Sequence, residues 1–474
     1  MQVLKKRRVS AAALVAAAGL AVYGGSMISS DVAQATVPSG INCVASDGKI
    51  NGRGSTYQTI VMGDWWNDFD SDVCGNTPNS PADVAGSDMG TYNYATAVAG
   101  SFTGSGAGQK AANCRTDAYA GTDLPYTEAI LAGLDGTPGN SVVGGCSTFP
   151  AQPFPPDATS NGTTFPAADD QTANVMSFPI AGSSVALEIN LTSTECGGHT
   201  PTFALTPAQV TAILGGSVAN WSSINSNCNE PITRVVREDN SGTTGILKNY
   251  LIRIDNARTA ATCDPGATWT SFDGSPNTSW PTGTGCTTVT TAATSGGPAL
   301  ITQLEATPGG IGYADLADAV NGTGLVTATV QNAAGTSFVS PSSGKAANCN
   351  YSSLTLPGFT TSDAVGLNST DNWGSDNATV NGVDGSIDHE NATDLGTNYP
   401  ICGLTFDLVY TGLSTPFGTN SAISALTNDQ RRTLYSFFTY VLSSTAQEKL
   451  TSIDYAQLPQ LWVPTLQAGF QANF

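Results

Sequence analysis

A short polar turn at residues 237–244 holds the side chains best suited to bind an anion. The apolar, β-branched run before it, residues 232–236, predicts a strand, and apolar residues at every fourth position after it predict a helix. The first backbone N–H groups of such a helix and the positive end of its dipole favour an anion. Arg237 adds a planar guanidinium, and Ser241 and Thr243 add hydroxyl donors. The turn predicts either an oxyanion site or a capped helix with a surface arginine.

Three further turns of small residues lie upstream, at 54–57, 104–110 and 121–125. Each leaves a predicted strand or enters a predicted helix, so together they could hold one polar ligand by backbone amides. Asp123 in the third turn narrows the ligand, because a carboxylate repels an anion unless the ligand has a proton to donate. Monohydrogen and dihydrogen phosphate have such a proton, and fully ionised sulfate does not.

Each of these residues also has a purely structural interpretation. Asp123, which precedes Leu-Pro, could cap a turn, and Ser105 could be an ordinary turn serine between glycines. Arg237 could be an ion-pair partner of Glu238 or Asp239. These interpretations lose weight only because the four turns occur together.

Alternating strand and helix patterns predict an α/β fold with mainly parallel sheets, in which ligands bind at the carboxyl ends of strands. Leu404, Phe406, Leu408 and Tyr410 alternate as in a strand with one buried face. Thr206-Pro207 has the N-cap and first-turn proline of a helix start. Further predicted strands lie at 92–98, 118–120, 178–191 and 404–410, and the predicted helices at 60–69, 206–214 and 427–449.

The N-terminus predicts export. A basic segment at 5–8 precedes an apolar run at 11–22 and a small-residue site, Ala33-Gln34-Ala35, after which we expect cleavage. We see no lipobox cysteine, so the protein is expected to be secreted or associated with the cell envelope. The chain carries a formal charge of −20; removing the +3 of the signal segment leaves −23 and argues against nucleic acid as a partner.

The ten cysteines lie between Cys43 and Cys402, beyond the predicted cleavage site, and indicate up to five disulfides. Connectivity does not follow from sequence, although Cys43 with Cys74 and Cys263 with Cys286 are reasonable local pairs. Cys196-Gly-Gly-His199 is a weak candidate for zinc, and we expect no metal and no cofactor. The chain has no GxSxG, HExxH or Walker lysine motif, so we expect a protein that is not an enzyme.

The four turns, in this order, resemble the phosphate-binding proteins that serve high-affinity phosphate ABC transporters. Further similar segments are Leu205–Pro207, Ile311–Ala314 and Ile453–Pro459. The resemblance implies a two-lobed periplasmic-binding-protein fold of type II, the Venus-flytrap form, here with long polar insertions. It further implies that the protein captures inorganic phosphate as a monomer and delivers it to an ABC permease.

The resemblance also assigns roles to residues of this chain. Thr56 and Tyr57 are expected to give backbone N–H donors, and Ser105 to donate through its hydroxyl and backbone. Asp123 is the expected acceptor, and Asp239 is expected to orient or partly neutralise Arg237. The expected clamp of the second lobe is formed by Arg237, Ser241, Gly242 and Thr243. Tyr57 and Asn240 depart from the family pattern, which usually has phenylalanine and glycine there.

The same resemblance divides the chain into a signal peptide at 1–35 and two lobes. The first lobe is expected at 36–182 and 398–474, with an insertion at 134–175; the second is expected at 183–397, with insertions at 257–299 and 340–397. Three alternatives remain open: a secreted matrix or adhesion protein with a secondary anion site, a binder of another oxyanion, and a secreted hydrolase.

Overall fold

The computed structural model describes residues 50–69, 89–93, 104–114, 117–123, 175–255, 263, 269, 278–351, 396–410 and 428–474. Residues 37–474 form one compact unit. The predicted signal peptide, the Cys43–Cys74 pair, most of the 92–98 strand and the insertions at 134–175 and 340–397, apart from 340–351 and 396–397, lie outside the described residues.

The described residues contain fourteen strands. They are β1 (Ile50–Gly54), β2 (Met89–Asn93), β3 (Tyr119–Thr122), β4 (Val175–Ile189), β5 (Ala204–Leu205), β6 (Thr233–Val236), β7 (Thr288–Thr291), β8 (Gly310–Asp315), β9 (Val326–Thr327), β10 (Thr329–Gln331), β11 (Phe338–Val339), β12 (Ser342–Ser343), β13 (Ala346–Ala347) and β14 (Cys402–Tyr410).

Nine of these strands form one sheet, in the order β2-β1-β3-β14-β4-β8-β6-β7 with β9 beside β4. The long strand β4 pairs with β14 from Val175 to Ser184 and with β8 from Val185 to Ile189. It therefore belongs to both halves of the sheet: a first half around β1, β3 and β14, and a second half around β6, β7 and β8.

The expectation of mainly parallel sheets is wrong in the middle of this sheet. Strands β1, β2 and β3 are parallel, as are β6, β7 and β8, but β14 and β4 run antiparallel to every strand they pair with. Strand β14 is also buried along both faces from Cys402 to Val409, not along one, because it lies between two strands with helices packed against it.

Nine helices lie in the described residues. They are α1 (Thr59–Asp68), α2 (Ser105–Cys114), α3 (Pro207–Leu214), α4 (Gly242–Asp255), α5 (Gly297–Glu305), α6 (Leu316–Ala319), α7 (Asn428–Val441), α8 (Ser444–Lys449) and α9 (Val463–Asn473), with single 3₁₀ turns at Thr56–Gln58, Trp221–Ser223 and Leu450–Ser452. Four of the helices, α1, α4, α5 and α6, begin shortly after the carboxyl end of a strand of the large sheet.

Local capping residues explain where several helices begin. Thr206 and Gln209 form a complete capping box at the start of α3, as the sequence predicted. The helix predicted at 427–449 is instead two helices, because Ser443 adopts an extended backbone and accepts a hydrogen bond from the Ala446 N–H, so that α8 starts afresh. No helix within the described ranges is long and apolar enough to span a membrane.

Close backbone contact fixes helix α2 against the first half of the sheet. A Cβ placed on Gly108 would lie 1.9 Å from the carbonyl oxygen of Gly121 in β3, so only glycine allows this approach. Aromatic residues fill the core beneath: Phe438 of α7 contacts Tyr119 and Phe178 at ring distances of 5.3 and 5.5 Å. The start of α2 is thereby held beside the end of β3.

Three disulfides join described cysteines: Cys196–Cys228, Cys263–Cys286 and Cys349–Cys402. The expected Cys263–Cys286 pair is thus confirmed. Since the sulfur of Cys196 is bonded to Cys228, it is not a thiolate that could bind zinc with His199.

Candidate functional site

Helix α4 begins at the polar turn that the sequence singled out. Ser241 caps it: the N–H of Thr244 donates to the Ser241 hydroxyl at 3.2 Å, and the N–H of Gly245 donates to the Ser241 carbonyl at 3.0 Å. Ser241, Gly242 and Thr243 are all buried. The helix N-terminus, with its positive dipole end, therefore points into the protein and not into solvent.

Arg237 lies immediately after strand β6, and its side chain is buried. Its Nε donates to Asp239 Oδ1 at 2.6 Å, and its Nη2 donates to Asp239 Oδ2. Burial disfavours the charged guanidinium, but the adjacent Asp239 carboxylate outweighs it and raises the pKa of Arg237. The arginine thus stays cationic and is held in one orientation by Asp239.

Two buried donors in this turn find no partner in the part of the chain that the structure describes. They are Arg237 Nη1 and Thr243 Oγ1, which make no hydrogen bond to any described residue. Leaving a buried donor unpaired costs about 1–3 kcal/mol, more when the group is charged. Such groups at the start of a helix are consistent with a ligand that supplies acceptor oxygens.

Asp123 follows strand β3 and is surrounded by hydroxyl groups from three parts of the chain. Its Oδ1 accepts from Ser55 Oγ at 2.5 Å and from Thr405 Oγ1 at 2.9 Å, and its Oδ2 accepts from Ser105 Oγ at 3.1 Å. Burial raises the pKa of Asp123 to about 6, and these hydrogen bonds limit the rise because they favour the carboxylate. The carboxyl is therefore largely ionised at neutral pH despite its burial.

Ser55 and Thr405 are site residues that the sequence analysis missed. Ser55 lies in the 54–57 turn, where a serine beside glycine and threonine was a signal that could have identified it. Thr405 lies within strand β14, more than 280 positions from Asp123, and no local pattern marks it. It reaches the site because β14 pairs with β3 in register, with Phe406 opposite Thr122.

Two of the predicted donors, the Tyr57 N–H and the Ser105 hydroxyl, are partly committed to neighbours within the chain. The Tyr57 N–H donates to Ser55 Oγ at 3.0 Å, and the Asp123 N–H donates to Ser105 Oγ at 3.0 Å. Because the Ser105 hydroxyl in turn donates to Asp123, it orients the carboxyl in this arrangement. Thr56 starts a 3₁₀ turn and lies beside Gly296. Its methyl group is 3.2 Å from the position that a Cβ on Gly296 would occupy.

The two halves of the sheet meet at these residues. The Gly106 N–H at the start of α2 donates to the Asn240 carbonyl at 3.2 Å. A Cβ on Gly242 would stand 2.3 Å from Ser105 Oγ and 2.5 Å from Asp123 Oδ2. Gly104, with φ of 89°, leaves room for Asp239 Oδ2, which would be 2.4 Å from a Cβ there. The structure thus places Ser105 and Asp123 against the Arg237–Thr243 turn.

Tyr313 of strand β8 supports the turn from below. Its hydroxyl accepts from the Arg237 N–H at 3.4 Å and shares a 2.6 Å hydrogen bond with Thr244 Oγ1. Among the described residues, no three His, Cys, Asp or Glu side chains are arranged to hold a metal ion. The groups gathered here can bind an anion through one guanidinium and the helix N–H groups. The Asp123 carboxylate can also accept a hydrogen bond from a protonated ligand.

Comparison with known proteins agrees with this architecture. Residues 157–366 match the family model of the PBP superfamily domain. No curated protein matches the sequence.

Three solved structures show the extent of the structural similarity. The high-affinity periplasmic phosphate-binding protein PfluDING is 19% identical, with a TM-score of 0.53, over 89% of this chain and 93% of its own. The phosphate-binding protein from Stenotrophomonas maltophilia is 16% identical, with a TM-score of 0.53 and the same coverage. A human phosphate-binding apolipoprotein is 20% identical, with a TM-score of 0.54, over 88% and 93%.

These similarities establish the fold. The chain is an α/β protein with the two-lobed periplasmic-binding-protein fold, as predicted. The proteins it resembles in structure are binding proteins named for phosphate.

Proposed function

We propose that this protein is an extracytoplasmic solute-binding protein that captures inorganic phosphate and delivers it to an ABC permease. One observation carries the proposal: a buried carboxylate, Asp123, lies against the N-terminus of α4, beside an arginine with an unpaired nitrogen. A helix N-terminus and a guanidinium attract an oxyanion. The carboxylate repels the oxyanion unless the oxyanion carries a proton that it can donate in a hydrogen bond. Phosphate meets both conditions.

In this proposal the second lobe supplies attraction and the first supplies selection. Arg237 Nη1, the Thr243 hydroxyl and the N–H groups of the first turn of α4 bind phosphate oxygens. Asp123 accepts a hydrogen bond from the protonated oxygen of the ligand, while Ser55, Ser105 and Thr405 hold the Asp123 carboxylate oxygens in place. Sulfate has no proton, so it would leave Asp123 facing negative charge, which lowers its affinity.

Phosphate capture then requires the two lobes to approach each other, and phosphate release requires them to separate. We place the lobes at 36–182 with 398–474 and at 183–397, and the signal peptide at 1–35. The change of partner along β4, from β14 up to Ser184 to β8 from Val185, supports a boundary at this point. Ligand contacts made by both lobes favour the closed arrangement, which is how binding shifts the population.

The test is titration calorimetry of the purified protein, first stripped of bound phosphate, with phosphate and with sulfate. We expect saturable binding of phosphate and much weaker binding of sulfate. Asp123→Asn should lose the discrimination, and Arg237→Ala should lose binding. Glu188→Gln, which removes a buried carboxyl elsewhere in β4, is the matched control and should behave like the unmodified protein. Equal affinity for both anions, or no heat with phosphate, would refute the proposal.

A further inference from the structure

Two buried carboxyls, Asp315 and Asp318, have no role in the phosphate site as proposed above. Asp315 ends strand β8, and its Oδ2 accepts from the Asp318 N–H at 3.2 Å, which caps α6. The residues are only 1% and 6% exposed. Asp315 Oδ1 and Asp318 Oδ2 meet no donor group among the described residues, and the two side chains hydrogen-bond to each other when one of them is protonated. Capping therefore accounts for Asp315 Oδ2 but not for the burial of a second carboxyl beside it.

The pair lies at the same edge of the sheet as Arg237. Strand β8 is parallel to β6, with Ile311 beside Arg234, so the two strands end side by side, β6 just before Arg237 and β8 at Asp315. Tyr313, two residues before Asp315, bonds to the Arg237 N–H through its hydroxyl. Since residues two apart on a strand share a face, Asp315 lies on the side of β8 that carries this contact.

A second route connects the pair to the site, across the start of α5. The Gly296 N–H donates to Asp239 Oδ1 at 3.3 Å. At the next residue, a Cβ on Gly297 would stand 2.1 Å from Asp318 Oδ2 and 3.4 Å from Asp315 Oδ1. The Arg237–Asp239 ion pair and the Asp315–Asp318 pair therefore contact adjacent residues of one short segment.

The pair carries charge at neutral pH. Burial and the neighbouring Asp318 carboxyl raise the pKa of Asp315 well above its usual value, while burial raises the pKa of Asp318 to about 6. Two adjacent buried carboxyls do not readily ionise together, so the pair as a whole carries one negative charge at neutral pH. The positive charge of Arg237 opposes the rise at Asp318, and the Asp123 carboxyl adds to the rise at Asp315.

Among the described residues, the other titratable groups near the pair do not supply compensating charge. The phenols of Tyr57 and Tyr455 interact with these carboxyls, but burial raises the pKa of both, so they stay neutral. Asp239 already neutralises Arg237. Ionised Asp123 and Asp318 therefore leave an excess of negative charge around the proposed ligand.

We propose that Asp318, held beside Asp315, is a further specificity-determining residue whose charge makes the site favour oxyanions with fewer negative charges. Dihydrogen phosphate is preferred to monohydrogen phosphate, and unprotonated dianions are disfavoured most. This rests on the proposed phosphate function. The role of Asp318 differs from that of Asp123. Asp123 requires a proton on one particular oxygen of the ligand, whereas Asp318 responds to the total charge of the ligand.

The test compares phosphate dissociation constants at neutral pH and at mildly alkaline pH, where phosphate has lost its second proton. The unmodified protein should bind more weakly at alkaline pH. In Asp318→Asn and in the double variant Asp315→Asn/Asp318→Asn, this weakening should be smaller by about tenfold, as expected when one nearby charge is removed in an effective dielectric of about 20. Both amides keep the shape of the carboxyls, and Asn still caps a helix.

Glu188→Gln is again the control, since it removes a buried carboxyl whose pKa is raised to about 7, and it should weaken with pH like the unmodified protein. Thermal melting checks that each variant is folded. If the folded double variant weakens with pH as much as the unmodified protein, the role of Asp318 is refuted and the phosphate function stands. If the unmodified protein binds no phosphate, both fail.

Discussion

Substituting Gly242 by alanine separates ligand binding from folding. Gly242 is the first residue of α4, and its φ lies outside the left-handed region, so alanine can adopt the backbone without strain. Alanine is also the better helix former, by up to about 1 kcal/mol. Within helix α4 itself, the substitution should therefore be neutral or stabilising.

The cost arises between the two halves of the sheet. The new Cβ would stand 2.3 Å from Ser105 Oγ and 2.5 Å from both Cβ and Oδ2 of Asp123. Ordinary contact needs at least 3.4 Å, so the start of α4 must move away from these residues by about an ångström. Overpacking of this kind costs about 1–3 kcal/mol, and the upper value corresponds to a loss of about a hundredfold in phosphate affinity.

Titration calorimetry measures this loss, and urea unfolding without phosphate measures stability. Gly63→Ala is the matched control, because Gly63 lies in helix α1 and a Cβ there meets no atom within 4 Å. It should gain up to about 1 kcal/mol of stability and leave phosphate affinity unchanged. If Gly242→Ala binds phosphate within about threefold of the unmodified protein, the ligand is not held between these residues and our reasoning fails.

Three more predictions follow from burial and chain closure. The pKa of Asp123 rises from 3.8 to about 6, so the unliganded protein should lose up to about 3 kcal/mol of stability as the pH rises from about 4 through about 6. Urea unfolding across this range should show a smaller loss in Asp123→Asn. If the variant and the unmodified protein have the same stability profile with pH, the prediction is contradicted. Arg237→Ala leaves Asp239 buried without its partner and should cost about 3–5 kcal/mol, whereas Arg237→Ala/Asp239→Ala should recover much of the stability but no phosphate binding; a double variant that binds would refute the role of the guanidinium. Removing the Cys349–Cys402 disulfide, which joins residues 53 positions apart, should lower the free energy of unfolding by about 4 kcal/mol. Removing the Cys263–Cys286 disulfide, whose residues are 23 positions apart, should lower it by about 3 kcal/mol. The prediction is contradicted if the variant without Cys263–Cys286 has the lower urea midpoint.

Local patterns predicted those elements whose causes are local. Helix α3 starts at Thr206-Pro207 as expected, because a capping box and a first-turn proline act within four residues. Helix α4 follows the Arg237 turn because a local cap, the Ser241 hydroxyl, accepts a hydrogen bond from the Thr244 N–H. The break between α7 and α8 also has a local cause, the Ser443 cap, but an amphipathic pattern continuing across it concealed the signal.

Patterns that depend on neighbours in space were less informative. The alternation in β14 predicted one buried face, and both are buried, since that depends on the strands and helices that cover it. The direction of β4 relative to β8 likewise follows from chain connections that a hydrophobic period does not encode.

By itself, the sequence determined the residue types of the anion site, from Thr56 to Thr243, because an arginine, a carboxylate and small-residue helix starts each have a chemistry independent of their surroundings. Only the tertiary structure decided what those groups face. It brought Thr405 to Asp123 and Gly242 against Ser105, left Arg237 Nη1 unpaired, and placed Asp315 and Asp318 at the same edge of the sheet. The hydrogen-bond partners of Asp123 lie 18, 68 and 282 positions away along the chain, so its burial and its pKa depend on tertiary contacts that no local pattern encodes.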